Sequence, residues 1–238
     1  MEYHRLAHTD LAVSRVCFGA MTFGSQVDTA AGAGMVDLAI EYGVNFFDTA
    51  NSYNAGRSES MLGGILKGRR DRVILASKVF NKMGDGPDDA GLARGAILKQ
   101  VDKSLRRLQT DYLDIYYLHQ PDESVPLEET LGAMDQLVRE GKVRYPATSN
   151  FASWQVARMF CIGGREGYRP PYISQPMYNL LARGIEQEFL PMAKSYGVST
   201  VVYNPLAGGL LTGKQQRDRP LPGTRFDNNP LYLSLLAS

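Results

Sequence analysis

The sequence predicts an α/β protein: a (β/α)8 barrel with an N-terminal β-hairpin and without its last strand–helix unit. Three observations carry this. Short apolar runs alternate with amphipathic helical patterns along most of the chain, the arrangement of a parallel sheet covered by helices. Polar residues able to do chemistry follow several different strands, as they do at one end of a closed barrel. The turn after the first strand, Gly19-Ala20-Met21-Thr22-Phe23-Gly24, is not the glycine fingerprint of a doubly wound open sheet, and no helix opens on it.

The elements follow in order. Tyr3 to Arg15 alternates apolar and polar residues around His8-Thr9-Asp10 and reads as a hairpin. Strands are expected at Val16–Ala20, Asn45–Asp48, Val73–Ser77, Tyr112–Leu118, Arg144–Thr148, Ile173–Gln175 and Val198–Tyr203. Helices are expected at Ala30–Tyr42, Ser58–Leu66, Ala90–Leu108, Leu127–Glu140, Ser153–Ile162 and Gly184–Tyr196. Pro126 and the acidic pair Glu128-Glu129 mark one helix start, and Gly141 and Gly197 stand where C-terminal glycines belong. From Ala207 to Pro230 the chain is rich in Gly, Pro, Arg and Asn and reads as a long functional loop. The whole of 1–238 is read as one barrel domain.

Composition narrows the class. With 44% hydrophobic and 21% charged residues, the chain has the material for a sizeable globular core. A formal net charge of +1 gives no ground for a nucleic-acid or membrane-surface partner. The clusters Lys67-Gly68-Arg69-Arg70 and Arg106-Arg107 read as helix ends and solvated faces. Cys17 and Cys161 read as buried free thiols rather than a disulfide or metal pair. The N-terminus has no apolar targeting core, and a cytoplasmic setting is expected.

Four residues stand just past apolar strands: Asp48 and Tyr53 after the second, Lys78 after the third, His119 after the fourth. An acid, a phenol, an amine and an imidazole converging there form a proton-donating site. A phenol of pKa ~10 is a poor acid at neutral pH until a nearby cation favours its anion. Asp48 would keep Lys78 charged, Lys78 would support the Tyr53 anion, and His119 would orient an oxygen gaining negative charge. Singly, each has a plainer reading: a loop carboxylate, a surface aromatic, a solvated strand-end charge, a core histidine.

In order along the chain, these segments resemble the aldo-keto reductase superfamily, most of all the branch of bacterial reductases and potassium-channel β subunits. The resemblance rests on Asn45-Phe-Phe-Asp-Thr-Ala with Tyr53, Ser77-Lys78, Asp111-Tyr-Leu-Asp-Ile-Tyr-Tyr-Leu-His-Gln, Gly141-Lys-Val-Arg-Tyr-Pro-Ala-Thr-Ser-Asn, and Val202-Tyr-Asn-Pro-Leu-Ala-Gly-Gly-Leu-Leu-Thr-Gly-Lys214. It implies NADPH-dependent reduction of an aldehyde or ketone, with Asp48, Tyr53, Lys78 and His119 catalytic. It also implies that Ser149, Asn150 and Gln175 hold the nicotinamide carboxamide and Tyr203 stacks on its ring. Asn204 to Gly209, including Leu206 and Gly208, would pass the pyrophosphate, and Lys214 and Arg225 would meet cofactor phosphates. By composition alone, Ser149-Asn150 could instead cap the helix near Ser153, Tyr203 could be a core aromatic, and Lys214 and Arg225 could be solvated.

The resemblance further implies a final strand, helix and basic segment after about Asn229, where this sequence turns to a short apolar ending. The expectation is a cofactor held firmly at its nicotinamide end and weakly at its adenosine. Channel β subunits supply one rival reading, a cofactor-sensing interaction subunit, and the short ending supplies another, a truncated product with little activity. Phe23, Phe80 and Trp154 are candidates to line a pocket or simply to pack.

Overall fold

A computed structural model of the protein describes residues 1–214 and Pro222. Arg225 and the apolar ending Leu231 to Leu236 lie outside the described residues.

The hairpin pairs β1 (Tyr3–Arg5) with β2 (Ala12–Ser14) antiparallel. Seven strands then form one all-parallel sheet in sequence order: β3 (Cys17–Gly19), β4 (Phe46–Asp48), β5 (Ile74–Val79), β6 (Leu113–Leu118), β7 (Val143–Ser149), β8 (Ile173–Gln175) and β9 (Ser199–Thr200). Six helices intervene: α1 (Thr29–Glu41), α2 (Arg57–Ile65), α3 (Arg94–Leu108), α4 (Leu127–Arg139), α5 (Ser153–Glu166) and α6 (Phe189–Tyr196). Neighbours in sequence are neighbours in the sheet throughout, which is the order of a curled (β/α)8-type sheet, and all seven expected strands are present.

Side chains alternate between two cores. Phe47, Leu75 and Tyr116 point outward and pack under the helices. Phe46, Ile74, Ala76, Ile115, Ala147 and Ile173 point inward. From the hairpin, Leu6, Leu11 and Val13 join that inner cluster and plug the barrel end where the strands begin. Asp10 anchors the plug by accepting two hydrogen bonds from Arg144 Nη2, at 2.7 and 2.9 Å, and one from the Tyr145 hydroxyl at 2.9 Å.

Period two then dictates what stands at the other end. One step past inward Phe46 comes Asp48; past Ala76, Lys78; past Tyr117, His119; past Ala147, Ser149; past Ile173, Gln175. A single alternation thus gives the barrel an apolar half and a polar half.

Several boundaries differ from expectation for identifiable reasons. α3 starts at Arg94 rather than Ala90, because the preceding loop is tied down: Asp89 pairs with Lys99 and Lys103, and Asp122 accepts from the Leu92 amide at 2.8 Å. α5 runs on through Gly163-Gly164, since Gly163 lets the helix approach the Tyr168 carbonyl, and it ends on left-handed Gly167. The last expected helix splits into a 3₁₀ turn, Gly184–Glu186, and α6. Pro191 lacks an amide hydrogen and is tolerated only in a first turn, so the helix restarts just before it.

Two surface readings are corrected. Cys17 is half-buried, but Cys161 is exposed on α5. Arg70 and Arg107 are not solvated helix-end charges: Arg70 donates to buried Asp114 at 2.7 Å, and Arg107 Nε donates to buried Glu59 at 2.6 Å. Buried carboxylates require such partners.

Candidate active site

Lys78, near the end of β5, is fully buried, and an ammonium survives there only with partners. It has them. Nζ donates to Asp48 Oδ1 and, at 2.7 Å, to the Thr49 carbonyl oxygen, and Tyr53 hydrogen-bonds it as well. Burial pulls the lysine pKa down, but the Asp48 carboxylate and then Tyr53 outweigh it and hold the ammonium above its usual value. The Tyr53 ring lies 4.9 Å from Nζ and meets the His119 ring edge-on at 5.9 Å. The structure therefore brings together all four residues expected to form the proton-donating site.

Tyr53 sits on a 3₁₀ turn, Tyr53–Gly56, in which Asn54 and Ala55 are left-handed. Such strain persists only when surroundings fix it. Here the Asn54 amide donates to the carbonyls of Met21 and Phe23 at 2.8 and 2.7 Å, tying the turn to the loop after β3. Behind the turn, buried Glu59 in the first turn of α2 accepts from Ser77 Oγ at 2.5 Å and from Arg107. Two other buried phenols, Tyr116 and Tyr117, are pushed well above the ordinary tyrosine value, chiefly by desolvation.

His119 is half-buried, and burial, then the Lys78 charge, lowers its pKa to about 4, so it is neutral near pH 7. Its carbonyl accepts from Asn150 Nδ2 at 2.9 Å, and its Nδ1 faces the Asn81 amide at 3.3 Å.

The residues expected to bind the cofactor surround this cluster. Ser149 Oγ donates to the Gln175 carbonyl at 2.8 Å, and Gln175 Nε2 donates to Asp48 Oδ2 at 3.1 Å. Gln175 is thereby a partner of Asp48, a link the sequence did not suggest. The Tyr203 hydroxyl donates to Asn150 Oδ1 at 2.9 Å, with its ring half-buried. The capping alternative for Ser149 and Asn150 fails: α5 is capped by Gln155, which accepts from the Ala152 amide at 2.9 Å. Asn204 is left-handed and takes the Gly208 amide on its side chain at 2.5 Å, opening a 3₁₀ stretch over Ala207–Thr212. The amides of Ala207, Gly209 and Leu211 are also used within this turn, the latter two on the Leu206 carbonyl. A Cβ on Gly209 would meet nothing within 4 Å, so the turn presents an open backbone. Lys214 is exposed, and Phe23 is packed into the core. Trp154, at 61% exposure, stands at the start of α5, close in sequence to Asn150.

An amide-rich donor set beside a half-buried aromatic ring suits a cofactor carrying a carboxamide on a flat ring. Sequence reasoning missed Asn81, Glu59 and Arg107 around the site. Their partners lie 18 to 48 positions away, beyond the reach of any local pattern. Among the described residues no group of three or more His, Cys, Asp or Glu is placed to hold a metal ion, and no helix is long and apolar enough to cross a membrane.

The sequence profile of the aldo/keto reductase family matches residues 15–235. A probable voltage-gated potassium channel subunit beta of Oryza sativa subsp. japonica is 37% identical over 231 residues, covering 95% of this chain and 70% of that protein. The uncharacterized oxidoreductase YrpG of Bacillus subtilis (strain 168) is 40% identical over 236 residues, covering 94% and 72%. Aflatoxin B1 aldehyde reductase member 2 of Rattus norvegicus is 39% identical over 216 residues, covering 89% and 58%.

Proposed function

The chain belongs to the aldo/keto reductase family, and from that premise we propose that it reduces an aldehyde or ketone to an alcohol with NADPH, Tyr53 giving the proton. The observation that carries this reading is the ammonium of Lys78, sealed from solvent, held by Asp48 and lying against Tyr53. A buried cation next to a phenol lowers the cost of the phenolate left when the proton departs. Asp48 offsets the desolvation of the ammonium, so the cation is present before the reaction starts. Tyr53 then donates to the carbonyl oxygen as negative charge gathers on it, and neutral His119 supplies a second hydrogen bond that orients the oxygen. Ser149, Asn150, Gln175 and Tyr203 would hold the cofactor's nicotinamide end, Asn204, Leu206 and Gly208 would border its phosphates, and Lys214 would add a positive charge. When bound, the cofactor supplies the hydride, which no side chain can. Residues 1–238 act in this reading as one barrel domain.

The test is NADPH fluorescence on titration, followed by turnover with a generic aldehyde. Binding with turnover in the natural sequence is expected. In Tyr53→Phe the ring volume is kept and the proton removed, so binding should survive while kcat falls 10²-fold or more. Undiminished kcat in that variant would exclude Tyr53 as the acid. The likeness to the rice channel subunit favours a second reading, a cofactor-sensing interaction subunit. Firm NADPH binding with no turnover on any small carbonyl would select it.

A further inference from the structure

Asn81 lies on the loop leaving β5, three residues past Lys78, and is half-buried. Its Nδ2 donates to Ser52 Oγ at 3.1 Å and faces His119 Nδ1 at 3.3 Å. One amide group therefore joins the residue before Tyr53 to the imidazole across the site. We propose that Asn81 is a positioning residue that fixes His119 as the tautomer carrying its proton on Nε2.

The argument is one of donors and acceptors. A carboxamide nitrogen has protons to give and no lone pair to accept with, so the ring nitrogen facing it must offer a lone pair. A neutral imidazole that accepts at Nδ1 carries its hydrogen at Nε2. His119 is neutral near pH 7, its ring set beside Lys78 and Tyr53, and only one proton is available to its two nitrogens. The backbone of His119 is fixed as well: its amide donates to the Val79 carbonyl at 2.9 Å and its carbonyl accepts from Asn150. With ring and backbone both held, Nε2–H is a donor ready for the carbonyl oxygen. The opposite tautomer would aim a lone pair at that oxygen and repel the charge developing there. The catalytic consequence rests on the reading of His119 as the group that orients the oxygen, but the tautomer itself does not.

The protein has three histidines, His4, His8 and His119, so long-range ¹⁵N–¹H spectra of the purified, cofactor-free protein resolve each ring, with His119→Gln identifying the signals of interest. The expected spectrum near pH 7 shows His119 with Nε2 protonated and Nδ1 bare. In Asn81→Asp an isosteric carboxylate can only accept, and the His119 proton should move to Nδ1. Turnover should then fall at least tenfold, with the NADPH dissociation constant unchanged. A wild-type ring protonated on Nδ1, or an Nε2–H ring that persists in Asn81→Asp, would overturn the proposal. Because the wild-type spectrum alone decides the tautomer, a variant that fails to fold does not shield it. A protein with the expected tautomer but no turnover would sink the enzymatic reading and leave the Asn81 assignment standing.

Discussion

At the scale of single residues, the site is a set of charges and protons that would be costly apart. His119 illustrates how this binds the site to pH. Its pKa falls from about 6.5 to about 4 on folding, through burial first and the Lys78 charge second. The unfolded chain binds the proton more readily, so the contribution of His119 to stability is fully present above about pH 6.5 and is lost as pH falls toward 4. His119→Gln, which cannot titrate, should flatten that part of the profile. Urea midpoints measured between pH 4 and 7 check this, and parallel curves for both proteins would contradict it. The convergence of Asp48, Tyr53, Lys78 and His119 was legible because each follows a visible apolar run, and strand ends at one barrel face converge by geometry. Asn81 was not legible. It stands in a polar loop with no periodicity, and its importance comes from Ser52 and His119, 29 and 38 positions away.

At the scale of elements, α2 and α3 are joined behind the Tyr53 turn by the Glu59–Arg107 pair. Glu59 is fully buried, so removing its partner leaves a stranded charge. Arg107→Met should cost about 3–5 kcal/mol, whereas Arg106→Met on the exposed neighbour should stay within about 0.5 kcal/mol. The double variant Glu59→Met/Arg107→Met should recover much of the loss, because the charge and its desolvation go together. Denaturant unfolding of the three variants separates these outcomes. Equal costs at positions 106 and 107 would mean that the pair has no special weight. The sequence showed two adjacent arginines at a helix end. A helical pattern tells which residues share a face, not which of two neighbours reaches a buried acid on another helix. The same blindness hid the exposure of Cys161. By contrast, strand order, hairpin and helix-terminating glycines were all readable, because each is written in local alternation and turn chemistry.

At the scale of the whole molecule, the two barrel ends are built from different residues. Hairpin residues Leu6, Leu11 and Val13 seal one end, and the cluster of Asp48, Tyr53, Lys78 and His119 occupies the other. Leu11→Ala leaves a cavity at the sealed end and should lower stability by roughly 2–4 kcal/mol. Activity per folded molecule should be unchanged, since Asp48, Tyr53, Lys78 and His119 stand at the other ends of the strands. Calorimetry paired with kcat at a temperature where the variant remains folded tests both halves of the statement. A drop in kcat without unfolding would show that the plug is mechanically coupled to the site.

The placement of Trp154 has an optical consequence. It is the only tryptophan in the sequence, and it stands exposed four positions after Asn150, at the start of α5. The protein thus carries a built-in lamp at the rim of its reactive end, with no second indole to blur the signal. Reduced nicotinamide absorbs where indole emits, so docking should quench this emission and light the dinucleotide in its place. Occupancy could then be followed on the natural polypeptide, without a dye or a coupled assay.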